Sequence, residues 1–182
     1  MAKALISIDY TYDFVAADGK LTAGKPAQAI EDDIVRVTKE AYEAGDYIFF
    51  AIDAHDEGDD FHPEAKLFPP HNIKGTGGRD LYGKLADLYE TIQSDQRVFW
   101  MDKRHYSAFS GTDLDIRLRE RRVTTVGLTG VLTDICVLHT AIDAYNLGYD
   151  IEIPAAAVAS LTQENHQFAL NHFKNVLGAK IV

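Results

Sequence analysis

The 182-residue chain contains a single cysteine, Cys136, so no disulfide can close within it and no cysteine-rich zinc module can form. It has no apolar run near the ~18 residues that span a bilayer as a helix, which excludes membrane insertion of that kind. Basic residues are scarce: 18 Lys and Arg stand against 28 Asp and Glu, for a formal charge of −10, and no basic stripe is interleaved with aromatics. Such a surface repels a phosphate backbone, so nucleic acid is not an expected partner. The stretch Ala4-Leu5-Ile6-Ser7-Ile8 after Met1-Ala2-Lys3 is too short and too closely followed by acid for a secretory signal, and the expected location is the cytoplasm. Internal repeats and low-complexity tails are also missing.

The composition, 46% hydrophobic and 25% charged, is that of an ordinary globular protein, and the length suits one domain over residues 1–182. Short β-branched or aromatic runs alternate with helical stretches, the pattern of a parallel sheet covered on both faces. Strands are expected near residues 3–9, 46–53, 97–102, 123–128, 149–153 and 179–182. Ile30, Ile34, Val37 and Ala41 recur at helical spacing between Pro26 and Gly45, predicting one amphipathic helix. A second helix is expected over 112–122 and a third from about Asp134 to Gly148. A fourth follows Thr162, with Phe168, His172, Phe173 and Val176 inward and Gly178 as its stop. Residues 56–96 hold three of the five prolines and five of the thirteen glycines, and read as a long functional loop or lid with only a weak helix near 80–92.

In a doubly wound sheet, ligands bind beyond the carboxyl ends of the strands, so the residues there are the ones to question. They are Asp9, then Asp53 with His55, then Asp102-Lys103, and then the run Gly127 to Cys136. A free cysteine is usually a small buried hydrophobe. Cys136, however, opens a helix after a Gly- and Thr-rich turn, where the dipole and free N–H groups favour a thiolate and can hold an oxyanion. With Asp9 and Lys103 it supplies a nucleophile, a base and a cation, the set that thiol acyl chemistry needs. Asp53-Ala54-His55 places two donors on one side of a strand end, and His71 can join from the loop. Two imidazoles and a carboxylate suit zinc, iron or manganese, and either Glu64 or His62 could complete the set. Phe14, Phe68 and Tyr106 flank these positions and could sandwich a flat ring. Gly78 to Lys84 has phosphate-loop spacing, but Leu85 stands where a Ser or Thr is needed and no strand precedes it.

Four separated motifs, I-D-Y-T-Y-D-F at 8–14, I-D-A-H-D at 52–56, K-R-H-Y-S-A-F at 103–109 and G-V-L-T-D-I-C at 130–136, resemble the isochorismatase-like cysteine hydrolases, and within them the nicotinamidase branch. The resemblance spans nearly the whole chain. It implies a three-layer α/β/α fold on a six-stranded, mostly parallel, doubly wound sheet. It also implies Asp9, Lys103 and Cys136 as a catalytic triad and an oxyanion hole from the backbone N–H groups of Leu132 and Cys136, with a cis peptide before Leu132. Asp53, His55 and His71 match that branch's metal ligands, with Glu64 as the variable fourth and zinc, iron or manganese as the ion. Nicotinamide is then the expected substrate, and a homo-oligomer is compatible with the sequence. The rival readings are a metal-free relative acting on another small amide or on isochorismate, and a flavodoxin-like binding module without turnover.

Overall fold

In the computed structural model, which describes residues 2–182, seven strands form one parallel sheet in the order β3-β2-β1-β4-β5-β7, with β6 also paired to β4. They are β1 Ala2–Ile8, β2 Tyr47–Asp53, β3 Val98–Lys103, β4 Val123–Val131, β5 Asp150–Ile153, β6 Val158–Ala159 and β7 Lys180–Ile181. The chain builds outward from β1 through β2 to β3, then crosses to β4 on the other side. Strand order therefore reverses between β1 and β4, the position where such sheets bind ligands. The seventh strand, β6, is the departure from the six expected. β5 pairs with β4 only along Thr125–Gly127, and two residues past Pro154 and a 3₁₀ turn take up the pairing at Gly130 and Val131. A two-residue strand has no alternation for a sequence pattern to reveal.

Both faces of the sheet are covered. α1 Tyr12–Val15, α2 Lys25–Ala29, α3 Glu31–Glu43 and α4 Gly83–Ile92 belong to one side, where Leu5, Ile48, Phe50 and Ile52 meet Ala27, Ile34 and Leu85. α5 Leu114–Glu120, α6 Leu138–Asn146 and α7 Gln163–Asn175 cover the other, where Ile6, Ile8, Phe49 and Leu128 meet Leu114, Ala141 and Phe173. Successive residues of a strand point to opposite faces, so the near-continuous apolar runs of β1 and β2 serve both cores at once.

Three expectations about helices are corrected. The helix expected between Pro26 and Gly45 is two, broken at Ile30 (φ −89°, ψ 3°), beside the point where the Tyr10 hydroxyl donates to the Ala27 carbonyl (2.9 Å). The inner face of α7 is Ala169 and Phe173, continued by Leu177 beyond it, while Phe168 and Val176 are 61% and 58% exposed. The segment at 80–92 is a complete helix from Gly83, and two 3₁₀ turns, Pro63–Lys66 and Gly77–Arg79, punctuate the loop before it.

Candidate active site

Each expected strand end delivers its side chain to the same rim. β1 ends at Ile8, and Asp9 turns out of the sheet with φ 54°, a left-handed conformation that aspartate tolerates better than most residues. Its Oδ1 accepts from the Asp53 N–H at 2.9 Å, tying the ends of β1 and β2 together. Asp53 and Lys103 are register partners on β2 and β3, so their side chains emerge side by side. Lys103 Nζ lies 2.7 Å from Asp9 Oδ2, donates to Asp53 Oδ1, and donates to the His105 carbonyl at 3.0 Å. Across the switch point, Gly130 is the penultimate residue of β4. A Cβ there would stand 1.9 Å from the Ile8 carbonyl oxygen, so only glycine lets β1 and β4 lie this close beneath the site.

The turn after β4 carries a cis peptide at Val131–Leu132, as the resemblance implied. The helix expected to begin at Asp134 opens instead as one π turn, Thr133–Val137, with the Leu132 carbonyl accepting from both Ile135 N–H and Val137 N–H. Single π turns often mark functional positions. Cys136 sits in it, 5% exposed, and its Sγ falls in one group with carboxylate oxygens of Asp9 and Asp53, all within 4.8 Å of one another.

Burial sets the charge states here. It raises the Asp9 carboxyl to about 6, helped by the neighbouring Asp53 charge and opposed by Lys103. The Cys136 thiol is pushed well above its ordinary value by burial, which outweighs the pull of Lys103. Burial alone would also raise Asp53, but Lys103 and His55 bring it below the usual carboxylate range. Lys103 is held protonated by the two carboxylates against its own burial. At neutral pH the cluster therefore holds an ionised acid beside a protonated thiol, the starting state for transfer of the thiol proton.

The second constellation shares Asp53. One donor atom each from Asp53, His55, Glu64 and His71 lies within 4.8 Å of the other three, and all four residues are buried. Asp53 Oδ2, His55 Nε2 and His71 Nε2 have no hydrogen-bond partner. Three converging orphaned acceptors in a buried space are costly unless a cation satisfies them, so these residues fit a divalent ion. The His71 tautomer agrees: Nδ1–H donates to the Pro69 carbonyl at 2.8 Å, leaving the Nε2 lone pair directed at the group. Hydrogen bonding distinguishes the two fourth-donor candidates, Glu64 and His62. His62 Nε2–H donates to the Arg104 carbonyl at 2.5 Å and Nδ1 accepts from the Glu64 N–H at 3.3 Å, which occupies both ring nitrogens.

Between the two constellations lies a cavity of about 190 Å³, lined by Phe14, Phe68, Tyr106, Leu132, Cys136, Asp53 and Glu64. Leu21, Thr22, Ala23, Val131, Ile135 and Leu161 complete its wall and were not legible as site residues, since each is an ordinary apolar or turn position in sequence. Arg79 was also missed. Its Nε donates to the Asp53 carbonyl at 2.7 Å and its guanidinium reaches Asp102 at 2.5 Å, clamping the ends of β2 and β3. The failed phosphate-loop spacing around it carried no hint of that role.

Comparison with known proteins agrees with this geometry. The isochorismatase domain matches residues 3–181. A Bacillus subtilis protein described as an uncharacterized isochorismatase family protein, PncA, is 59% identical over 181 residues, covering 100% of this chain and 99% of its own. A pyrazinamidase/nicotinamidase crystal structure from Streptococcus mutans UA159 superposes with a TM-score of 0.98 at 81% identity, over the full length of both chains. A pyrazinamidase of Pyrococcus horikoshii, solved in complex with zinc, gives 0.86 at 27% identity, covering 100% of this chain and 99% of that one.

Proposed function

We propose, from the premise that this chain belongs to the isochorismatase family, that it hydrolyses nicotinamide to nicotinic acid and ammonia through a thioester on Cys136. The observation that carries this reading is that Cys136, grouped with Asp9 and its Lys103 partner, opens on a ring-sized cavity whose wall also includes Asp53 and Glu64 of the buried four-residue donor set. The names of the relatives, which include nicotinamidases and pyrazinamidases, support the substrate.

Asp9 accepts the Cys136 proton as Sγ bonds to the carboxamide carbon. The oxyanion that forms is held by the backbone N–H groups of Leu132 and Cys136. When it collapses, the C–N bond breaks, Asp9 returns the proton to the departing nitrogen, and ammonia leaves a thioester behind. Water then gives its proton to Asp9 and its oxygen to the acyl carbon, the C–S bond breaks, and the sulfur recovers the proton as nicotinic acid departs. Lys103 stays charged throughout and offsets the anionic pair. Phe14, Phe68 and Tyr106 hold the ring, and their apolar surfaces exclude bulk water. A divalent ion of the zinc class, with iron or manganese compatible with the same donors, would be held by Asp53, His55, Glu64 and His71 and would supply a Lewis-acid anchor for the pyridine nitrogen. The product feeds pyridine nucleotide resynthesis in the cytoplasm.

The test is ammonia release from nicotinamide by purified protein, with and without a chelator. Turnover that the chelator abolishes and added zinc restores is expected. No ammonia from nicotinamide with the ion supplied overturns the reading.

A further inference from the structure

We infer that Asn72 is a positioning residue that fixes the ion-binding half of the site against the Asp9 half, an inference that rests on the donor set assigned above. Asn72 follows His71 and is fully buried, with φ 44°, so its backbone is held in the left-handed region. Its carbonyl accepts from the His55 N–H at 3.1 Å, and His55 pairs with Ile73 as a short parallel bridge. The two imidazoles are thereby set relative to each other through the Asn72 backbone.

The remaining bonds of Asn72 run to the segment after β1, to Thr11 and to Asp13 in α1. Its N–H donates to Asp13 Oδ2 at 2.8 Å, and its Oδ1 accepts from the Thr11 hydroxyl at 3.0 Å, both buried. Thr11 lies two residues beyond Asp9, and its own N–H donates back to the Asp9 carbonyl at 2.8 Å. Hydrogen bonds thus lead from His55 through Asn72 and Thr11 to the backbone of Asp9, with His71 joined to the same residue by the peptide bond. The amide nitrogen of Asn72, Nδ2, is buried without a partner, so the side chain carries a cost that a smaller residue would avoid. What it gains is the Thr11 bond, made from the same residue that sets the imidazoles.

Outer contacts that orient metal ligands typically govern affinity by 10–100-fold. The experiment titrates zinc into metal-stripped protein in competition with a chromogenic chelator. Asn72→Gly keeps the left-handed backbone and removes only the side chain, and Thr11→Val removes the same bond from its other end. Each should weaken zinc binding by about tenfold, the double variant by no more than either single one, and Thr11→Ser should bind as wild type. At saturating zinc, the turnover of nicotinamide by Asn72→Gly should return toward wild type. A purely structural bond would lower the melting temperature of the stripped variants and leave zinc affinity unmoved.

Wild-type affinity in Asn72→Gly and Thr11→Val, or losses that multiply in the double variant, would overturn the positioning role. A wild type that binds zinc but releases no ammonia overturns the nicotinamidase reading and leaves this inference standing. A wild type that takes up no zinc removes the ion site, and the inference with it.

Discussion

Asp53 and Lys103, register partners at the ends of β2 and β3, meet in a fully buried ion pair, and the other oxygen of Asp53 stands 3.8 Å from His55 Nε2. One carboxylate therefore serves both halves of the site. Its loss should differ in kind from loss of any other donor.

Replacing Asp53 with Asn should lower zinc content and also disturb the charge balance around Lys103, so excess zinc should not restore turnover. His71→Ala removes a donor without touching Lys103. It should weaken zinc by more than the roughly 10–100-fold that an outer-shell contact is worth, yet recover part of its turnover in excess zinc. The comparison needs metal analysis and rates at rising zinc for both variants. Equal rescue of the two would separate Asp53 from the Lys103 network.

Lys103→Met keeps the length of the side chain and removes its charge, leaving Asp9 and Asp53 buried without a cation. Breaking a buried pair in this way costs about 3–5 kcal/mol. Without that cation, burial and their mutual charge push both carboxyls upward, Asp9 from a value already raised to about 6, so the stability the Asp9 carboxyl retains is full at low pH and is lost as pH rises through its raised value. Urea unfolding of the metal-stripped variant should show a smaller deficit against wild type in mild acid than at neutrality. A deficit independent of pH would contradict this.

Cys136→Ala should leave the fold and zinc content intact and reduce kcat by about 10³-fold or more. Intact-mass spectrometry of wild type quenched during turnover should show the nicotinoyl adduct on Cys136. An alanine variant close to wild-type rate, or a quenched enzyme with no added mass under saturating substrate, would remove the thioester.

Benzamide has the same carboxamide on a ring without nitrogen. If the ring is anchored through that atom, benzamide should be a far poorer substrate in zinc-loaded protein, and the gap should close when zinc is stripped. Equal rates for the two amides in loaded protein would argue against the anchor.

Away from the site, Asp95 offers a test of pH-dependent stability. Arg97 binds its carboxylate through Nε, NH2 and the backbone N–H, the Tyr42 hydroxyl donates to it at 3.0 Å, and together they lower its pKa to about 2. A lowered folded value contributes stability above the ordinary 3.8 that is lost as pH falls toward 2. The stability difference between wild type and Asp95→Asn should be present at neutral pH and shrink through that window. A constant difference would show that the carboxylate charge contributes nothing.

Much of the site was legible because its chemistry lies at strand ends. Asp9, Asp53, Lys103 and the Gly130-to-Cys136 turn each follow an apolar run, and a parallel sheet gathers such ends on one rim. What was not legible depends on contacts between distant segments. The break at Ile30 adjoins a bond from the distant Tyr10 hydroxyl to Ala27, which no local periodicity records. The inward face of α7 carries the small Ala169 with Phe173, so the larger, exposed Phe168 was a poor guide. Glu64 and His62 are equal candidates by spacing and are separated by the bonds that occupy both His62 ring nitrogens, to the Arg104 carbonyl and from the Glu64 N–H. Asn72 and Arg79 lie in a stretch with neither strand nor long helix, where pattern arguments have least to work with.

The chain has one sulfhydryl, and it lies inside the cavity. Under the proposed chemistry, a small thiol-directed electrophile that enters the cavity becomes an active-site titrant, since each labelled chain is one competent nucleophile consumed. A preparation can then be standardised by the fraction of chains that gain a single label, without building a cysteine-free background. Ligands that fill the cavity can be ranked by how far they slow that labelling, even when none of them is turned over.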